Sequence, residues 1–180
     1  MNEHYFDIKE HIRTIANWPK QGVMFRDISS LLENRLVFRR TIDLFVHRYF
    51  TTAIDAVVGI DARGFIIGAP LAYELNAGFI PVRKKGKLPG TTISKSYQLE
   101  YGEAEVEMQT DWLDGTMDVL LVDDLIATGG TMLAATALIK QLGANIVEAA
   151  AIIDLPDLGG SAKLRNAGLR VHTFCAFEGE

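Results

Sequence analysis

Residues 119–131 read VLLVDDLIATGGT. Four apolar residues run straight into Asp123 and Asp124. A loop of small residues follows, Ala127, Thr128, Gly129, Gly130 and Thr131, and an apolar-periodic segment begins there. Glycines let backbone N–H groups converge on one point and let a ligand approach closely. A helix starting at that loop adds the positive end of its dipole. The loop therefore suits a phosphate. The two carboxylates would repel a phosphate and suit hydroxyl groups instead, as acceptors for a diol. A lone pair of acids or glycines usually caps a helix or turns a chain. The whole array in this order reads as a binder of ribose 5-phosphate. No GxxxxGK[ST] loop and no GxGxxG fingerprint occurs anywhere, which removes the P-loop and dinucleotide-binding readings.

These residues need a scaffold, and the rest of the chain supplies its pattern. Ile54–Ile60 and Val119–Val122 are short apolar runs that suit strands buried on both faces. Gly78–Arg83, Ile146–Ile153 and Arg170–Phe174 read as further strands. Phe65–Leu75 and Thr131–Leu142 read as helices, the second capped by Gly143. Phe38, Ile42, Phe45 and Tyr49 share one helical face, and so do Ile8, Ile12, Ile15 and Trp18, which predicts an N-terminal amphipathic helix ending before Pro19. Gly22–Asp27 reads as irregular or extended, Lys84–Thr92 as a basic loop, and Tyr97–Met108 as a hairpin turning near Gly102. Strand–helix alternation predicts an α/β fold, a mostly parallel central sheet with helices on both faces. Ligands of such sheets bind at the carboxyl ends of the strands, here the loops after residues 60, 83, 122 and 153.

Length and charge set the outer bounds. At 180 residues, 48% hydrophobic and 23% charged, the chain can bury one real core and is not a disordered segment. The formal charge of −5 argues against a nucleic-acid coat, which needs a basic excess. A small anion can still bind where cations gather locally. The single cysteine, Cys175, excludes an internal disulfide framework and a multi-cysteine zinc site, and reads as a core thiol. No signal-peptide pattern and no membrane-length apolar run is present, so no membrane partner and a cytoplasmic location are expected.

The array at 119–131 resembles the phosphoribosyl pyrophosphate (PRPP) signature of type I phosphoribosyltransferases. GVMFRDIS at 22–29, DARGF at 61–65, RKKGKLPG at 83–90 and SYQLEYG at 96–102 are similar, in order and spacing, to the adenine phosphoribosyltransferase branch of that family. The resemblance implies a single domain with an N-terminal hood over 1–34, a core over 35–180 and a flexible hairpin lid over 92–104. It implies that adenine and PRPP react to give AMP and pyrophosphate, through an oxocarbenium-like displacement at the anomeric carbon. Magnesium is the implied cofactor, bridging substrate oxygens near Asp123 and Asp124, and a homodimer is the implied assembly.

The resemblance also implies roles. Arg63 binds the pyrophosphate, in a loop that in many type I members holds a non-proline cis peptide. Arg83, Lys84 and Lys87 add positive charge, and Arg83 reaches across the dimer interface; taken alone, this basic run reads as a solvated loop. Backbone atoms of Val23, Met24, Phe25 and Arg26 read the adenine edge. Phe25 either stacks on the base or is a plain core residue. Glu100 is the proton handler for adenine N7 or else an exposed hairpin acid, and Tyr101 shields the site. Ala62 and Met24 depart from the residues common in relatives. No chemistry is assigned to the tail after Leu155. Enzymes for 6-oxopurines often use a lysine donor to the exocyclic oxygen, and the matching strand end here is Asp154–Leu155–Pro156. A PRPP-sensing regulator would need a nucleic-acid surface, which the −5 balance does not favour.

Overall fold

The computed structural model describes residues 6–98 and 102–179. Its centre is an eight-stranded sheet. Along it run β10 (Val171–Ala176), β9 (Asn145–Asp154), β7 (Asp118–Val122), β3 (Ala56–Ile60), β4 (Gly78–Lys84), β6 (Glu103–Gln109) and β5 (Thr92–Gln98), and the two-residue β8 (Leu125–Ile126) pairs with β9. The strands from β10 to β4 are mutually parallel, and β6 and β5 are antiparallel additions at one edge. The mostly parallel sheet expected from strand–helix alternation is therefore present. Among the described residues no helix is long and apolar enough to cross a membrane.

Period-two alternation in the buried strands makes two cores. Ala56, Val58, Val119, Leu121, Ala149 and Ala151 face α4 (Gly130–Gln141), which contributes Met132, Ala135, Leu138 and Ile139. Val57, Leu120, Val122, Ala150 and Ile152 face the opposite way. There they meet Ile42, Phe45 and Tyr49 of α2 (Arg35–Tyr49) and Ile67 and Leu71 of α3 (Arg63–Glu74). The helical face read at 38–49 is thus the buried one, and Asn34 caps its start by accepting the N–H groups of Leu36 and Val37. Helix α2 is also pinned to β9. The buried Glu148 carboxylate accepts two bonds from Arg48, at 2.7 and 2.9 Å, and one from the Tyr49 hydroxyl at 2.6 Å.

The N-terminal helix predicted over Ile8–Trp18 does not form. Ile8–His11 is a single 3-10 turn capped by Asp7, and Arg13–Ala16 is a strand, β1, antiparallel to β2 (Met24–Asp27). The apolar spacing served two purposes. Ile8 and Ile12 enter the core under α2, whereas Ile15 is half-buried and Trp18 lies at the surface against Phe25. Cross-strand partners decide the outcome: Arg13 donates to Asp27 at 2.6 Å, and Arg26 donates to Thr14 at 2.6 Å. The short helices α1 (Ser29–Glu33) and α5 (Gly160–Asn166) lack an apolar period long enough to be read in sequence. The hairpin begins at Thr92, five residues earlier than alternation indicates, because Thr92–Ser96 is largely solvent-facing and polar.

Asp27 supports a pH prediction. Hydrogen bonds from Arg13 and Ser29 hold its carboxyl down at about 2. A carboxyl lowered in the folded state stabilises the fold above its unfolded pKa, and that contribution fades as pH falls through the folded value. Between about pH 4 and pH 2 the wild type should lose stability faster than Asp27→Asn, read as urea midpoint against pH. Parallel acid curves would remove Asp27 from the account.

Candidate active site

The carboxyl ends of β3 and β7 define the site. Leaving β7, the chain places Asp123 and Asp124 at the sheet edge, passes through β8, and turns over Ala127–Gly129 into α4. Gly129 is the N-cap with φ of 78°, a left-handed conformation natural to glycine, and no side chain caps the helix. The first N–H groups of α4 therefore have no intrahelical partner. A cavity of about 200 Å³ opens over them, lined by Arg63 and residues 123–132. Asp123, Asp124, Ala127, Thr128, Gly129, Gly130, Thr131 and Arg63 are thus brought together around one space.

Arg63 arrives from the start of α3, next to the cis peptide between Asp61 and Ala62. The first turn of α3 lies hard against β7: a Cβ on Gly64 would fall 2.8 Å from the Val122 carbonyl. This contact aims Arg63 along the sheet edge, where Nε sits 2.8 Å from Asp124 Oδ2. The Asp124 side chain is 4% exposed, and its Oδ2 receives no aligned hydrogen bond. Burial raises both carboxyls above the usual range. The adjacent charge of Asp124 pushes Asp123 further up, while Arg63 draws Asp124 back down. Two acids held this way favour incoming hydroxyl donors or a cation.

Phe25 belongs to neither core cluster; its ring packs edge-on to Trp18 at 4.3 Å and under the Arg63 guanidinium at 5.5 Å. It comes from β2, and its contact with Arg63 joins that strand to a residue lining the cavity. The Arg26 side chain lies over the Phe177 ring at 4.4 Å and donates to the Thr14 hydroxyl at 2.6 Å. A second cavity of about 300 Å³ is lined by Val23, Met24, Leu155, Asp157, Leu158 and Phe177, among others. The tail to which no chemistry was assigned thus forms a wall beside the segment proposed to read the base.

Arg83, Lys84 and Lys87 lie outside the 200 Å³ cavity. Arg83 donates to Asp61 at 2.8 Å, two residues before Arg63, and Lys84 and Lys87 are exposed. Glu100 and Tyr101 lie outside the described residues. Next to them in sequence, Tyr97 and Gln98 rest on Gly130, where a Cβ would meet the Tyr97 ring at 3.0 Å. Cys175 is part-buried, and burial pushes its thiol up to about 11, so it is not activated.

Two positions escaped sequence reading. Gly160 backs the 127–129 loop: its N–H donates to the Ala127 carbonyl at 3.0 Å, and a Cβ there would fall 2.2 Å from that oxygen. Lys163 donates to the Thr128 carbonyl at 3.3 Å. Both come from α5, and only a tight backbone approach, invisible in a linear string, marks the glycine.

A parallel sheet whose strand end presents paired acids, a small-residue anion loop and a helix start is the architecture of a phosphoribosyl transferase domain, and that family matches residues 27–166. The adenine phosphoribosyltransferase of Marinobacter nauticus is 61% identical over 173 residues, covering 96% of each chain. The crystal structure of adenine phosphoribosyltransferase from Rhodothermus marinus is 42% identical, with a TM-score of 0.88 over 94% of this chain and 96% of that one. The Trypanosoma brucei adenine phosphoribosyl transferase, solved in complex with AMP, pyrophosphate and ribose-5-phosphate, is 31% identical with a TM-score of 0.85 over 95% of this chain and 77% of that one. The chain belongs to the phosphoribosyltransferase family and, within it, to the adenine phosphoribosyltransferases.

Proposed function

We propose that this chain joins adenine to PRPP, releasing pyrophosphate and forming AMP, as a purine-salvage transferase. The supporting observation is the uncapped start of α4 beneath a cavity walled by Asp123, Asp124 and Arg63. In this reading, Ala127–Thr131 hold the 5-phosphate through backbone N–H groups and the Thr128 and Thr131 hydroxyls. Such charge-assisted hydrogen bonds contribute about 1.5–3 kcal/mol each. Asp123 and Asp124 accept the ribose hydroxyls, and their negative charge favours the cationic ring of the transition state. Arg63, with Arg83, Lys84 and Lys87, neutralises the leaving pyrophosphate. Backbone atoms of Val23–Arg26 orient adenine, with Phe25 beside it. Glu100 takes the proton from N7 as N9 attacks the anomeric carbon, and Tyr101 shields the reacting atoms. Placement of the acid is worth about 10²–10⁴ in rate.

The donor set fits magnesium held mainly through substrate. Among the described residues no cluster of three or more ligating side chains exists. Asp123 and Asp124, the latter with an oxygen lacking an aligned donor, are the residues that would hold the ion. When bound, magnesium supplies charge neutralisation of the pyrophosphate oxygens. Residues 1–34 serve as a hood and 92–104 as a lid that excludes water. On α3, Ile66 and Tyr73 leave an apolar row exposed, at 42% and 83%, which supports a homodimer through that face. A cytoplasmic location completes the reading.

The test is product formation from purified protein, PRPP, magnesium and a panel of radiolabelled bases. Adenine should yield AMP, with hypoxanthine, guanine and xanthine far slower. No AMP from adenine, or a 6-oxopurine used as well as adenine, would overturn the assignment.

A further inference from the structure

Glu107 sits in the middle of β6 and is 4% exposed. Its neighbours Val106 and Met108 are buried too, so strand alternation does not account for a charge there. Its carboxylate reaches the loop over residues 85–91. Oε1 accepts the backbone N–H groups of Lys87 and Leu88, each at 2.8 Å, and Oε2 accepts the Thr92 hydroxyl at 3.4 Å. Across the ladder, the register partner of Glu107 is Arg83. That arginine donates to the Lys87 carbonyl at 3.3 Å and to Asp61 at 2.8 Å. Lys87 is therefore held through its N–H by one member of the register pair and through its carbonyl by the other. Burial works against the Glu107 charge, but the N–H groups of Leu88, Gly86 and Lys87, with the Thr92 hydroxyl, outweigh it and hold the carboxyl below its usual range. A buried charge is weak evidence for stability, since an apolar residue of similar volume often serves as well. Its use must lie in what it holds.

We propose that Glu107 is a positioning residue for the pyrophosphate side of the reaction. It fixes the loop that carries Lys87 and follows directly on Lys84 at the end of β4, and it ties that loop to the register of the β5–β6 hairpin. The inference rests on the pyrophosphate role proposed above for those lysines.

The reverse reaction, AMP plus pyrophosphate, separates the two substrates. Glu107→Gln keeps the shape and one acceptor oxygen but loses the charge that roughly doubles the strength of each bond. It should raise the KM for pyrophosphate about tenfold while leaving that for AMP nearly unchanged, a selectivity that general destabilisation would not produce. Amide hydrogen exchange of the ligand-free protein should quicken at Lys87 and Leu88 and stay as in wild type along β7. If both KM values move together, or the pyrophosphate KM does not move, the inference is overturned. Lys84→Ala and Lys87→Ala distinguish the failures. If they also leave the pyrophosphate KM unmoved, the reading of the basic loop falls and the positioning role with it. If they raise it and Glu107→Gln does not, only the positioning role falls. Should Glu107→Gln not fold, Glu107→Asp, which keeps the charge but withdraws it by one methylene, provides the same comparison.

Discussion

Gly160→Ala should cost at least about 10² in kcat/KM for PRPP while the protein still folds. The reason is steric. A Cβ at Gly160 would lie 2.2 Å from the Ala127 carbonyl oxygen, 2.7 Å from Gly129 N and 2.9 Å from the Thr128 carbonyl carbon. All of these are backbone atoms of the anion loop, and none can rotate aside as a side chain would. The loop cannot escape easily either, because Gly129 already faces Gly160 closely: its own Cβ would be 3.0 Å from Gly160 Cα. Loop or α5 must shift by a large fraction of an ångström, and the N–H groups proposed to hold the phosphate move with it. Overpacking of this kind destabilises by about 1–3 kcal/mol, well short of unfolding a typical domain. Steady-state kinetics with PRPP varied, beside a melting curve, make the measurement. Wild-type kcat/KM for PRPP in a folded Gly160→Ala protein would show that the loop is not the phosphate cradle.

Asp124→Asn should separate activity from stability. The carboxylate is buried, and burial raises its pKa and that of Asp123. An acid whose folded pKa lies above its unfolded value costs stability once pH exceeds the unfolded value, and the cost grows until the folded pKa is passed. At neutral pH an uncharged amide relieves that cost. Arg63 then loses its partner, but it is 40% exposed and can hydrate instead. The melting temperature should therefore hold or rise. Activity should move the other way. The amide is a weaker acceptor for a ribose hydroxyl, favours the cationic transition state less, and offers a metal no charge. A fall in kcat/KM for PRPP of about 10²–10³ is expected, the size seen when one oriented electrostatic group is removed. Kinetics and calorimetry on the same preparation check both halves. Unchanged PRPP kinetics across a magnesium titration would place the ribose elsewhere.

The candidate anion loop was legible because its parts are contiguous. An apolar run, two acids, small residues and a helix start lie within thirteen residues, and each local preference acts over a turn or two of chain. The same locality explains the misreading at the N-terminus. Ile8, Ile12, Ile15 and Trp18 keep helical spacing, but the ion pair of Arg13 with Asp27 and the bond from Arg26 to Thr14 make a strand of the second half. Those partners are twelve to fourteen residues away, beyond the reach of periodicity.

The sequence alone established an α/β domain with a mostly parallel sheet, and it marked the loop after one strand as the candidate phosphate cradle despite a charge of −5. Sheet order decided the rest. Because β7 lies beside β3, Arg63 meets Asp124. Because β6 pairs with β4, Glu107 grips the basic loop. Because α5 packs behind residues 127–129, any side chain at Gly160 would press on backbone atoms of that loop. Each of these contacts joins segments far apart in the chain, and its strength depends on burial and approach distance, which exist only once the strands have taken their places.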